Sequence, residues 1–159
     1  MRMRAPTKLV SPRARWYWAT RAGLGWAVIF GVQTIVWVSA PESAMGHLVV
    51  AIVTATIAVV HLAVMPQWRF RVHRWESTES AVYTQSGWVS QDRRIAPIAR
   101  IQTVDTHRGP FEQLFGLANV TITTASAAGP LRIHGLDLNV AQSLVEDLTA
   151  RTQNAGDGT

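Results

Sequence analysis

Between Ala22 and Met65 the chain carries no Lys or Arg and a single acid, Glu42. Soluble domains rarely leave so long a stretch almost uncharged. Two apolar runs fill it, residues 22–40 (AGLGWAVIFGVQTIVWVSA) and residues 48–65 (LVVAIVTATIAVVHLAVM). Each approaches the roughly 20 residues that a helix needs to cross ~30 Å of hydrocarbon. Backbone groups inside a bilayer must be satisfied within the segment, which predicts helix for both. The link, residues 41–47 (PESAMGH), allows only an antiparallel hairpin.

Charge then sets the orientation. Residues 1–21 form a basic tail with six cations (Arg2, Arg4, Lys8, Arg13, Arg15, Arg21) and no acid. Arg69, Arg71 and Arg74 follow the second run, and the link has no cation. The positive-inside rule predicts a multi-pass plasma-membrane protein with both termini in the cytoplasm. Trp16, Tyr17, Trp18 and Trp68 on the inner side and Trp37 on the outer side stand where aromatic belts form. A cleaved signal peptide is the competing reading of the first run. Its apolar core is too long for that, and Pro41 would follow the cut after Ala40. The net charge of +5 resides in the tail, because nine Arg balance nine acids from Arg69 onward. That distribution argues against a nucleic-acid partner.

Within the spans, Gly23, Ala27 and Gly31 share one helical face, as do Ala51 and Ala55. Small residues let helices approach closely in lipid. The expectation is that these faces pack the two spans together; the alternative is that one recruits another subunit. Gln33 and His61 are the polar exceptions. His61 lies about one turn from the inner end, and a hydrogen bond to a carbonyl of the partner helix is expected of it.

From Arg69 the pattern changes to short β-branched and aromatic runs bounded by turn residues. Phe70 and Val72 suggest a first strand. Residues 81–84 and 88–90 flank a hairpin turn at Gln85, Ser86 and Gly87, and residues 91–94 read as a polar interruption. Ile98, Ile101 and Val104 recur at threes, the mark of a turn feeding a strand. Val120, Ile122 and Thr124, then Leu131 and Ile133, alternate as half-buried strands. Pro110 starts a single helical turn that Gly116 stops. A final helix follows, with Asn139 as cap, Gln142 at the capping-box position and an apolar stripe of Ala141, Leu144, Val145 and Leu148. Ile101, Val104, Leu114, Leu117, Ile122, Leu144 and Leu148 are the expected core, and residues 152–159 an expected disordered tail.

Ile98 through Val104 (I-x-x-I-x-x-V), Phe111-x-x-Leu114-Phe115-Gly116-Leu117, the strand 120–124 and Gly135-Leu136 carry a resemblance. Residues 82–148 resemble bacterial pleckstrin-homology (PH) domains, and the chain from Arg21 to Arg151 is similar to the YdbS-like membrane proteins. The resemblance implies an α+β domain over residues 69–151, a seven-stranded, partly open β-barrel capped by the C-terminal helix. It implies a larger membrane protein with several such domains as companion, besides the lipid bilayer. It also suggests Arg93 and Arg94, near the first hairpin, as anionic-headgroup contacts. Asp92 beside them and the neutral domain weigh against that, and Gln113 stands where the family has a basic residue.

Catalytic constellations are missing. The five His are scattered singly, cysteine is absent, and there is no phosphate loop, dinucleotide fingerprint or nucleophile elbow. Glu76 with Glu79 and Glu146 with Asp147 read as solvated surface. The sequence therefore points to a membrane-anchored interaction module without cofactor, a non-catalytic subunit or scaffold. A tethered anionic-lipid-binding module is the alternative, with an enzyme or transporter subunit disfavoured.

Overall fold

The computed structural model describes residues 5–156, with side chains to residue 153. Strand β1 (Lys8–Leu9) comes first. Helix α1 (Arg13–Ser39) and helix α2 (Ala44–Val72) follow, joined by a 3-10 turn at Pro41–Ser43. Strands β2 (Arg74–Ser77), β3 (Ala81–Gly87) and β4 (Gln91–Pro97) precede a 3-10 turn at Ile98–Arg100. Strand β5 (Ile101–His107), helix α3 (Pro110–Leu114), strands β6 (Leu117–Thr124) and β7 (Leu131–Asp137) and helix α4 (Leu138–Gly156) complete the chain.

Both long helices leave their apolar side chains uncovered. None of the most apolar stretch of α1 is buried and only 11% of that of α2. A core helix of a soluble protein would be mostly buried, so these surfaces belong in lipid. Each helix outruns the predicted span. The extension of α1 buries Ala14, Tyr17 and Trp18 against the β domain, one face of an amphipathic turn. Tyr17 and Trp18 are therefore core residues, whereas Trp16 is exposed as a belt residue would be. Helix α2 passes through Pro66 to Val72, so Phe70 and Val72 are helical, not the first strand. Trp26 Nε1 donates to His61 Nδ1 at 3.0 Å, and Gln33 Nε2 donates to Thr54 Oγ1 at 2.7 Å. His61 thus takes a partner-helix indole rather than a carbonyl.

The spans do not meet along the small-residue face of α1. A Cβ added at Gly23 or Gly31 would meet nothing within 4 Å, and Ala27 and Gly31 are exposed. Larger side chains, Trp26 and Gln33, make the contact instead, with Ala58 buried and Ala51 and Ala55 half-buried on α2.

Seven strands, among the described residues, form two antiparallel sheets, β1-β2-β3-β4 and β5-β6-β7, an unclosed barrel that α4 covers. Lys8 lies opposite Trp75 and Leu9 opposite Arg74. The membrane hairpin is thus the connection between two neighbouring strands, and the supposed basic tail is partly sheet. Leu117, Ile122, Leu136 and Leu148 are wholly buried, each contributing ~1.5–3 kcal/mol by transfer from water. Leu144 is buried as expected, while Ile101 and Val104 are half-buried against the core. Leu114 is 77% exposed. The one-turn α3 turns Phe111 and Leu114 outward and leaves half-buried Phe115 to pack on Tyr17, with ring centroids 6.2 Å apart.

Several local readings change. Gly87 ends β3 with φ 124°, and the turn is Trp88-Val89-Ser90. Residues 91–94 are paired strand, polar because both faces of this part of β4 are exposed. Helix α4 starts at Leu138, placing Asn139 inside its first turn, and runs to Gly156. Of the tail expected to be disordered, residues 157–159 lie outside the described residues, as do Arg2 and Arg4 of the basic tail.

Candidate functional site at the base of the hairpin

Where α1 and α2 leave the apolar layer, the β domain closes on them along a polar seam. The entry is fixed first. Ser11 donates its backbone N–H to Gly135 O at 2.9 Å and its hydroxyl to Asp137 Oδ1 at 2.8 Å. Gly135 has φ 75°, and a Cβ there would come within 3.0 Å of Ala14 Cβ. Only glycine allows both this backbone conformation and this approach of β7 to α1.

One turn further along α1, Arg21 Nη1 donates to Tyr17 Oη at 2.9 Å, and the Tyr17 hydroxyl donates to Glu112 Oε1 at 2.7 Å. Asn119 Nδ2 donates to the same carboxylate oxygen at 3.2 Å, and Asn119 Oδ1 accepts from Gly135 N at 3.0 Å. Burial alone would raise the Glu112 pKa. The Tyr17 hydrogen bond, its own backbone N–H, Asn119 and the Arg21 charge together hold it below the usual carboxylate range.

On α2 the Arg69 guanidinium lies 4.7 Å from the centroid of the Trp18 ring. Among the described residues it makes no hydrogen bond or ion pair. His73, just past α2, is 3% exposed and donates from Nδ1 to Arg69 O at 2.8 Å. Burial lowers its pKa to about 4, with the Arg69 charge acting in the same direction. His134 is lowered too, by burial first and then by Arg69 and Arg132. Both rings are neutral at pH 7. Tyr17, Arg21, Arg69, Glu112, Asn119 and His134 surround a cavity of about 490 Å³, whose membrane side is Ala22 and Met65.

A second contact lies on the other side of α2. Trp68 Nε1 donates to Trp88 O at 2.8 Å, and the Trp88 ring stands 5.6 Å from the His61 ring. His61 precedes Arg69 by two helical turns, ~12 Å along the axis. The β3–β4 loop therefore climbs to the level of the spans, with Val89 at its tip 87% exposed.

The residues singled out from sequence are not gathered here. Arg93 Nε donates to Gln85 Oε1 at 3.0 Å. Arg94 Nη1 donates to the carbonyls of Ala128 and Pro130 at 3.0 and 3.1 Å, tying β4 to the β6–β7 loop. Gln33 and His61 sit between the spans. Tyr17, Trp18 and Arg21 precede the apolar run that begins at Ala22, so sequence marks them as belt and tail residues and not as part of a seam. The spacing of Ala14, Tyr17, Trp18 and Arg21 was the available signal. The described residues contain no metal-binding cluster of His, Asp and Glu.

Residues 24–152 match the family model described as Bacterial PH domain. The transmembrane protein YdbS (UPF0699) of Bacillus subtilis (strain 168) is 33% identical over 92 residues, covering 58% of this chain and 57% of that protein. The matched part thus spans little more than half the length of that relative. No solved structure matches.

Proposed function

We propose that this chain, which belongs to the bacterial PH-domain family, is a non-catalytic, membrane-anchored interaction module that serves as a subunit of a larger membrane assembly. The bilayer anchors it, both termini face the cytoplasm, and the PH domain is presented in a fixed pose against the membrane. The insertion of the hairpin between β1 and β2 carries this reading. A domain meant to search freely would hang on one flexible linker. Here both ends of the hairpin are tied into one sheet, and the Tyr17–Glu112 bond and the Trp68–Trp88 contact brace either side.

The partner contact is assigned to the uncovered Gly23–Ala27–Gly31 face of α1. Packing of small residues is a main source of helix association in lipid, and the hairpin itself does not use this face. The partner expected is a membrane protein bearing several PH domains. Purification in mild detergent tests the reading. A stoichiometric multi-PH-domain partner should be retained by the native chain and lost on Gly31→Leu, with the hairpin still membrane-integrated. Recovery of the chain alone, or retention despite Gly31→Leu, contradicts it. Anionic-lipid recognition is the second reading. The cavity at the seam supports it better than Arg93 and Arg94, whose guanidinium groups are already hydrogen-bonded within the domain.

A further inference from the structure

The seam leaves one charge unexplained. Arg69 is half-buried, and its guanidinium makes no hydrogen bond or ion pair among the described residues; it stands over Trp18 at the wall of the cavity. Arg21 lines the same cavity. The acid present, Glu112, accepts both Tyr17 and Asn119 on one oxygen. Two guanidinium groups against one carboxylate leave the cavity positive. A guanidinium fork suits the oxygens of a phosphate, and an anion there would relieve the mutual repulsion of the two Arg. The cavity's position sets what can present that phosphate. Arg21 is the last cation before the uncharged stretch, and Ala22 and Met65 form the wall toward the spans. A ligand seated here has its polar end among Arg21, Arg69, Asn119 and His134 and its apolar end along the helices.

We propose that this cavity binds the phosphate of an anionic phospholipid headgroup, with Arg69 and Arg21 supplying the charge. Asn119 and His134 line the cavity beside them, and the acyl chains run along the hairpin. The volume of about 490 Å³ is within the range of small-ligand sites. The site is distinct from the β4 arginines: Arg93 and Arg94 are not among its lining residues. It rests on the reading that the hairpin spans the bilayer.

Native mass spectrometry of the full chain, released from nanodiscs of phosphatidylglycerol and phosphatidylcholine mixed equally, tests it. The expected result is one retained phosphatidylglycerol per chain, preferred over phosphatidylcholine and not displaced by millimolar inorganic phosphate. Arg21→Gln and Arg69→Gln should each weaken retention by about tenfold, the loss of one charge-assisted hydrogen bond. Arg93→Gln should leave it unchanged. Arg21 is exposed, so its variant is informative even if Arg69→Gln disturbs the Trp18 contact. Equal retention of the two lipids, or native retention in both variants, overturns the proposal. Displacement by inorganic phosphate also overturns it, in favour of a soluble phosphate ligand. A chain that fails to integrate into nanodiscs overturns the membrane reading together with the site, whereas an integrated chain without lipid preference overturns the site alone.

Discussion

At the scale of single residues, Tyr17 joins membrane helix to PH domain through one hydroxyl. It receives Arg21 and donates to Glu112, and its side chain is buried. Tyr17→Phe keeps the packing on Phe115 but leaves a part-buried carboxylate short of a donor. The expected cost is ~1.5–3 kcal/mol, that of a hydrogen bond to a charged group, read from thermal unfolding in detergent. His73 makes stability pH-dependent. Its folded pKa of about 4 lies below the ordinary value of 6.5. Between those values the unfolded chain takes up a proton that the folded chain refuses. Stability is then full near neutral pH and falls as pH drops from about 6.5 toward 4, by up to ~3 kcal/mol from this residue. Glu112, held low, and His134, also lowered, act in the same direction. His73→Gln should flatten unfolding measured from pH 7 to pH 4.5; an unchanged slope would assign the loss to other groups. None of these roles was legible in the sequence. A lone His or Tyr gains its role from neighbours brought from distant positions, and Glu112 is 95 residues from Tyr17.

At the scale of elements, legibility followed periodicity. The apolar stripe of α4 and the alternation in β6 and β7 belong to long repeats with one buried face, and they were read correctly. Leu144→Ala is accordingly expected to cost ~2–5 kcal/mol, enough to threaten a small domain; a loss below ~0.5 kcal/mol would contradict the packing of α4. Strand β4 was missed because its residues are polar and exposed, and α3 was mis-faced because one turn has no period. Strand β1 was invisible, two residues in a basic tail with a partner across the entire hairpin. Deleting residues 1–10 from the full chain should therefore lower its unfolding temperature in detergent, since Val10 is buried and β2 would lose one of its two neighbours. A dispensable tail would leave it unchanged.

At the scale of the whole molecule, the two apolar runs announced a hairpin and the β pattern announced a separate domain. What sequence order concealed is that they are interlocked, the hairpin leaving the sheet at β1 and returning at β2. This forces the residues before α1 and the PH domain onto one side of the bilayer, and the charge distribution is the ground on which we propose that side to be the cytoplasmic one. The chain has no cysteine, so single cysteines can report each surface in turn. Thr7, Ser43 and Ser126 are exposed, at β1, at the hairpin tip and in the β6–β7 loop. A membrane-impermeant thiol reagent applied to intact bacterial cells should label Ser43→Cys alone, with Thr7→Cys and Ser126→Cys reacting only after permeabilisation. Labelling of Ser126→Cys in intact cells, or of none of the three before permeabilisation, would contradict an inward-facing module anchored by a spanning hairpin.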